Sequence, residues 1–361
     1  MSDGVDFLVG RTDLRQCRFA DAARPAVEDG AALLRIDRFA FTSNNVTYAV
    51  FGEAMNYWGF FPAPEGWGRV PVWGFAEVAE SKHPDLAAGE RLYGYLPMST
   101  WLVVQPERVT PANFMDATVH RRALPAPYQL YSRVAADRNY DARFEDQQAL
   151  LWPLYYTSYL IEDFLADNAL FGARSVVLAS ASSKTALGVA FGLSRHRPQQ
   201  CEVVGLTSPG NKAFCEKLGY YDKVVAYGDL EQLPAATPTV FVDMAGEGKV
   251  LHRVHHHFGE QVRHSCIVGA THWEKRETQH QLPGAKPQFF FAPVRVAKRI
   301  KDWGQAGLEK NFGAAWSEFL PSVNGWLKVE RARGHAAVES AYRAVLEGRF
   351  NPAQGHVLAL D

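Results

Sequence analysis

Cysteine is scarce: Cys17, Cys201, Cys215 and Cys266 are the only four among 361 residues, and no CxxC pair or Cys/His spacing joins them. That excludes a disulfide scaffold, makes each thiol a small buried hydrophobe, and fits a reducing compartment. Long hydrophobic runs are missing too. No stretch approaches the roughly 18 apolar residues of a membrane span, and the opening MSDGVDFLVGRTDLRQ mixes charges among its apolar residues, unlike a signal peptide. A cytoplasmic protein that does not enter the membrane is expected. Neither sign of charge dominates: 38 Lys and Arg against 39 Asp and Glu leave a net charge of -1, scattered along the chain. Nothing therefore draws it to nucleic acid or anionic lipid, and the expected partner is a small-molecule substrate. Internal repeats and low-complexity tracts are absent.

What is present has the balance of a globular protein, 47% hydrophobic and 21% charged, in a chain long enough for two domains. From Ala31 to Phe41 large apolar residues alternate with charged or small ones, the period of a half-buried strand. Glycines and prolines then punctuate short apolar runs such as Val70 to Val78 and Arg91 to Leu96, which predicts a small β-barrel or sandwich up to about residue 110. Residues 112–147 show no sustained period and are expected to be a long functional loop or an inserted helical hairpin.

The rhythm changes in the middle of the chain. Val176 to Leu178, Glu202 to Leu206, Lys223 to Ala226, Thr239 to Val242 and Ser265 to Val268 are apolar runs separated by helical stretches, which predicts an α/β domain with a parallel sheet. TALGVAFGLSR (185–195) and NKAFCEKLG (211–219) carry the amphipathic pattern of crossover helices. After about residue 295 the pattern is helical, and GHVLAL closes as a strand.

A nucleotide pyrophosphate is held where a strand turns tightly into a helix whose free N–H groups face the phosphate. VVLASASSKTALG (176–188) supplies that context without the glycines: Ser180, Ala181, Ser182, Ser183 and Ala186 stand in their places. Ser182, Ser183 and Thr185 offer hydroxyls and Lys184 a cation, although a serine-capped helix start would read the same way. At the end of the next strand an NAD site carries an acid for the ribose hydroxyl. Here Thr207 and Ser208 replace it and Lys212 follows, a set suited to a 2′-phosphate, so NADP(H) is the expected cofactor.

A β-rich first half, an α/β middle and a returning C-terminal strand resemble the medium-chain dehydrogenase/reductase superfamily, most closely its zinc-free quinone oxidoreductase and enoyl reductase branch. Within it the chain is similar to an uncharacterised bacterial family of unknown function. FTSNNVTYAVFG (41–52), which resembles the branch's Asn-rich loop, VWGFAEVAES (72–81), which resembles a strand, and GERLYGY (89–95), which resembles a turn, carry the likeness in the first half, and SPGNKAFCEKLGYYDKVVAY (208–227) in the second. The resemblance implies a GroES-like β-rich domain over 1–155 and 296–361 and a Rossmann-type, doubly wound domain over 156–295. It places Lys212 and Tyr227 on the adenosine phosphate. VDMAG, VGATHW and QFFFAP become loops along the nicotinamide half, which brings in Met244, Gly269, Ala270, Thr271 and Phe290. It also makes a homodimer the common assembly. Zinc-binding members carry a Cys and a Gly-His-Glu box where this chain reads SNN and WGFAE, so no catalytic metal is expected.

Zinc-free hydride transfer needs a positioned donor for the developing negative oxygen. Tyr48 is the first candidate, with Asn44 to orient it; Tyr156 and Thr157 come next, Thr157 on the cofactor side. His252 and His256 lie four apart without a third convergent ligand, and His272 follows the fifth strand. The expected function is NADPH-dependent reduction of a small activated alkene, quinone or carbonyl compound. The alternatives are a non-catalytic NADP(H)-binding protein with a degenerate reductase fold, or an α/β protein that has lost its nucleotide.

Overall fold

The structure, a computed structural model, describes residues 3–197, 201–244, 246–268, 282–349 and 351–360. The chain divides into two compact units, Met1–Leu150 with Leu327–Asp361, and Leu151–Trp326. The first runs through β1 (Gly4–Gly10), β2 (Cys17–Ala22), β3 (Ala32–Phe41), α1 (Ser43–Val50), β4 (Trp67–Gly68), β5 (Pro71–Ser81), β6 (Arg91–Pro97), β7 (Trp101–Val104), β8 (Pro106–Glu107), β9 (Asn113–Asp116) and β10 (Leu130–Arg133). Helix α2 (Glu145–Asp167) carries the chain into the second unit. There follow β11 (Ser175–Ala179), α3 (Lys184–His196), β12 (Glu202–Thr207), α4 (Pro209–Leu218), β13 (Lys223–Ala226), β14 (Thr239–Asp243), α5 (Gly248–Phe258), β15 (Val262–Ile267), β16 (Pro287–Phe289) and α6 (Ala292–Val323). The first unit is completed by β17 (Lys328–Arg333), α7 (His335–Leu346) and β18 (Gln354–Ala359).

In the first unit the main sheet has the order β17-β18-β3-β5-β6-β10-β9-β8, with β7 paired to β3. Strand β3 shows why its sequence alternates imperfectly. Leu34 and Ile36 face the core, the register against β5 shifts between Ile36 and Arg38, and Phe39 and Phe41 then face the same core. One extra residue moves the apolar set from even to odd positions without turning it to solvent. Gly74 and Gly94 sit opposite one another in β5 and β6. A Cβ on Gly94 would lie 2.5 Å from the Tyr131 ring, which packs onto that bare backbone and donates its hydroxyl to the Tyr95 carbonyl at 2.6 Å.

Two expectations are corrected here. Residues 112–147 are neither a long loop nor a helical hairpin: β9 and β10 extend the main sheet, 3₁₀ turns link them to α2, and a buried ion pair fastens the connection. Asp116 and Arg121, 0% and 4% exposed, approach to 2.7 Å, and Arg121 also donates to the Val103 carbonyl. Period was invisible because these strands are four residues long and separated by proline-containing turns. The Asn-rich segment after β3 is a helix, α1, rather than a loop. Its start is a capping box in which Asn45 accepts from the Thr42 N–H at 2.8 Å, while the Asn45 amide donates to Pro71 O at 3.0 Å.

The second unit has a six-stranded sheet, all parallel, in the order β13-β12-β11-β14-β15-β16, with helices in its crossovers, a doubly wound arrangement. Strands β11 and β14 are buried at every position, which is why they read as unbroken apolar runs. Helix α2 is hard to see in sequence because Pro153 lies inside it. Asp163 on α2 is 2.5 Å from Arg295 and 2.8 Å from Arg299 on α6, a buried cluster that ties the two helices together. Gly304, with φ +73°, divides α6 into two helical stretches. No helix among the described residues is long and apolar enough to cross a membrane.

Gly94→Ala is expected to lower unfolding stability by about 1–3 kcal/mol, because the added methyl meets the Tyr131 ring, and a denaturant titration reads this directly. Arg121→Met leaves the Asp116 carboxylate buried without its guanidinium and is expected to cost about 3–5 kcal/mol in the same titration; an unchanged midpoint would show that the ion pair does not hold the segment.

Candidate functional site

Strand β11 ends in a turn that the sequence builds without glycine. Ser180 adopts φ +53°, a left-handed conformation that glycine enters more readily. Its N–H donates to the Tyr227 hydroxyl at 2.9 Å, the Ala181 carbonyl accepts from the Tyr221 hydroxyl at 2.7 Å, and Ser182 Oγ accepts from the Asn211 amide at 3.0 Å. Ser183 is the N-cap of α3, accepting from the Ala186 N–H at 3.3 Å. Gly205 on β12 lets this turn lie close, since a Cβ there would fall 2.9 Å from the Ala181 methyl. Gly188 similarly admits α2: Ser158 Oγ lies 2.8 Å from the Thr185 carbonyl, where a Cβ on Gly188 would crowd it.

The remaining residues distribute as follows. Burial lowers the Lys184 ammonium, at the first turn of α3, to about 8. Thr207 is buried at the end of β12 and lies 3.5 Å from Ser182 Oγ, and Ser208 is the N-cap of α4. Lys212 pairs with Glu216 one turn on and lines a groove of about 510 Å³ with Tyr221, Ala226, Asp229 and Gln232. Tyr227 caps the Ser180 turn. Tyr156 and Thr157 lie inside α2; the Tyr156 ring packs edge-on against Phe312, burial pushes its phenol up to about 12, and the Thr157 hydroxyl donates to Pro153 O. Met244 follows β14, and Phe290 follows β16 with its N–H on Ile267 O. Gly269, Ala270, Thr271 and His272 lie outside the described residues.

The structure thus draws Ser180, Ser182, Thr207 and Tyr227 into one hydrogen-bonded cluster at the C-terminal ends of β11 and β12, where a doubly wound fold binds its ligands. Asn211 and Tyr221 belong to it and were not singled out by sequence. Asn211 was legible only as the neighbour of Lys212, and Tyr221 only through the fold.

In the first unit α1 carries Tyr48 over the sheet. Its hydroxyl accepts from the Trp73 indole N–H at 3.3 Å, Asn44 hydrogen-bonds it as well, and the rings of Tyr57, Tyr95 and Tyr128 surround it at 4.8, 5.5 and 6.1 Å. Burial, reinforced by Tyr57, raises the Tyr48 phenol far above its ordinary range, so it stays a neutral donor. Tyr128, from the turn before β10, shares a 3.3 Å hydrogen bond with Tyr57.

Of the histidines on α5, His255 donates to Pro283 O at 2.8 Å and accepts from Ser265 at 2.9 Å, and His257 donates to Leu233 O. His252 and His256 are exposed, their rings 4.0 Å apart. Among the described residues no three His, Cys, Asp or Glu side chains converge to hold a metal ion.

No curated protein matches the sequence. Solved structures with the same fold include CurA of Vibrio vulnificus in complex with NADPH, 13% identical over 99% of both chains with a TM-score of 0.61. The quinone oxidoreductase of Coxiella burnetii is 11% identical over 99% of both chains, TM-score 0.55. An alcohol dehydrogenase superfamily protein of Novosphingobium aromaticivorans is 16% identical over 99% of this chain and all of its own, TM-score 0.56. At these identities the likeness is one of fold, GroES-like plus Rossmann-type. Residues 39–351 match the model of a family described as a protein of unknown function, DUF2855. The chain belongs to that family, DUF2855, and has the fold of the medium-chain dehydrogenase/reductase superfamily.

Proposed function

We propose that the chain is an NADPH-dependent, zinc-free reductase of a small activated alkene, quinone or carbonyl compound. The second unit would take the cofactor and the first the substrate. The observation that carries this reading is the cluster joining the β11–α3 turn to the end of β12. Asn211 links Ser182 to the start of α4, where Thr207, Ser208 and Lys212 stand in place of a carboxylate. The donor set suits the group: Lys212 and Ser208 would hold the 2′-phosphate, with Tyr227 beside the adenosine. Ser180, Ser182, Ser183, Lys184, Thr185, the Ala186 N–H and the α3 N-terminus would hold the pyrophosphate. Tyr156, Thr157, Met244 and Phe290, with Gly269, Ala270 and Thr271, would line the nicotinamide half.

Bound NADPH supplies the hydride in this chemistry. The chain's own part is positioning and proton supply: Tyr48, held neutral by burial, donates its O–H to the oxygen on which negative charge develops, and Asn44 orients that hydroxyl. A cytoplasmic location and a homodimer belong to the same proposal; the fold neighbours named above support the reductase reading.

A second reading, a non-catalytic NADP(H)-binding protein, is favoured by one feature. The Ser180 N–H, a donor the pyrophosphate would use, is already taken by Tyr227.

NADPH is expected to bind selectively over NADH in a fluorescence titration, and Lys212→Ala to weaken NADPH by about tenfold while leaving NADH unchanged. Equal binding of the two nucleotides, or none, would sink the cofactor assignment, and selective binding with no oxidation by enones, quinones or aldehydes would favour the second reading. The pH dependence has a definite sign. With no phosphate bound, burial holds the Lys184 ammonium down at about 8, and a bound phosphate would raise it, so affinity is level below that pH and falls above it. Titrations between about pH 7 and about pH 9.5 should show up to a tenfold fall per pH unit, and Lys184→Met should flatten the profile.

A further inference from the structure

Helix α5 carries His252, His255, His256 and His257, and the structure divides them between two tasks. His255 is buried and hydrogen-bonded to Pro283 O at 2.8 Å and Ser265 at 2.9 Å, and His257 is hydrogen-bonded to Leu233 O, so these two anchor the helix to its surroundings. His252 and His256 are exposed and make no hydrogen bond or ion pair among the described residues. Their rings nevertheless lie 4.0 Å apart, centre to centre, tilted by 34°. Neither packing nor helix propensity calls for this pair. Histidine is a poorer helix former than the lysine, glutamate or arginine that suit exposed helix positions, and when charged the two rings repel each other.

We propose that His252 and His256 form a surface chelate for a divalent transition-metal ion of the copper, nickel and zinc group. Two imidazoles four residues apart on one helix face can direct their nitrogens at a common position. With metal–nitrogen bonds of about 2.0–2.1 Å, chelated imidazole rings sit about 4.5–5 Å apart, centre to centre. The observed pair reaches that spacing by small rotations of two exposed side chains within their rotamer wells. The ligand type selects the ion. Imidazole nitrogen suits Cu²⁺, Ni²⁺ and Zn²⁺, whereas Mg²⁺ and Ca²⁺ take oxygen, and of the first three Cu²⁺ binds tightest. No third His, Cys, Asp or Glu side chain joins the pair among the described residues, so the remaining coordination positions fall to water. Nearby charges do not oppose the ion: Arg253 is paired with Glu231, and Lys249, one turn before His252, is exposed and screened by solvent. Because His255 fixes the buried side of α5, the metal closes a cross-link over one turn of a helix that is already held in place. Neither residue belongs to the proposed nucleotide site, so this assignment stands or falls independently of the reductase reading.

The full chain is titrated by calorimetry with Ni²⁺ alone, Cu²⁺ alone and Mg²⁺ alone. One equivalent of Ni²⁺ and of Cu²⁺ is expected to bind and Mg²⁺ is not, with His252→Ala and His256→Ala each weakening that equivalent by about tenfold or more. His335→Ala, which removes an exposed histidine of the first unit, should leave it unchanged. Bound Cu²⁺ also reports its ligands: its electron paramagnetic resonance spectrum should carry the coupling of two imidazole nitrogens in the parent and of one in either variant. Both substitutions fall on exposed positions, so the thermal midpoint without metal should not change. No binding of Ni²⁺ or Cu²⁺, an affinity that both variants keep, or a loss that His335→Ala reproduces, would overturn the proposal.

Discussion

The left-handed turn at Ser180 is the constraint on which the second unit's reading depends. A non-glycine residue at positive φ costs about 1 kcal/mol or more, a strain that glycine would not carry. Here side chains from the β12–β13 side of the sheet hold the turn instead. Tyr227 takes the Ser180 N–H, Tyr221 donates to the Ala181 carbonyl, and Asn211 donates to Ser182. Each bond is of ordinary strength, and together they offset the backbone cost and leave the α3 N-terminus at the end of the parallel sheet. The small residues that remain are where the close approach demands them, at Gly205 and Gly188.

The first unit uses a comparable device. Tyr131 packs onto the bare backbone of Gly94, opposite Gly74, which in turn admits Arg38 and Phe39 of β3, and the segment that supplies Tyr131 is held by the Asp116–Arg121 pair. Gln129 reinforces it, its amide donating to the carbonyls of Arg121 and Leu124. The segment that carries Tyr128 to the aromatic cluster is therefore rigid, and a rigid support is what a site of directed hydroxyl donors requires. Tyr48 is held from the other side by α1, whose Asn45 is hydrogen-bonded to the Pro71 carbonyl at the start of β5.

The class of fold and the order of the five apolar strands β11 to β15 were legible in the sequence, because strands buried on both faces show as continuous apolar runs whatever surrounds them. So were the strand β3 and Ser182, Thr207 and Lys212 as candidates, since each rests on local residue chemistry. The helix nature of α1 was hidden by its asparagines, one of which proves to be a cap. Helix α2 was hidden by Pro153, and β9 and β10 by their shortness. These depend on partners distant in sequence: Pro71 for α1, Arg295 and Arg299 for α2, β6 for β10.

What the sequence by itself determined is thus the two-part organisation, the parallel sheet with its strand-to-helix turn, and the substitution of hydroxyls and a lysine for an acid at the end of the second strand. These follow from local composition and period. Only the tertiary structure decided that Tyr227 occupies the Ser180 N–H, that Asn211 joins the turn, and that Tyr93 and Tyr95 are buried with their hydroxyls unpaired among the described residues. Pairing and burial are properties of residues brought together across 29 to 47 positions of chain, and no local pattern encodes which donor a folded neighbour will satisfy.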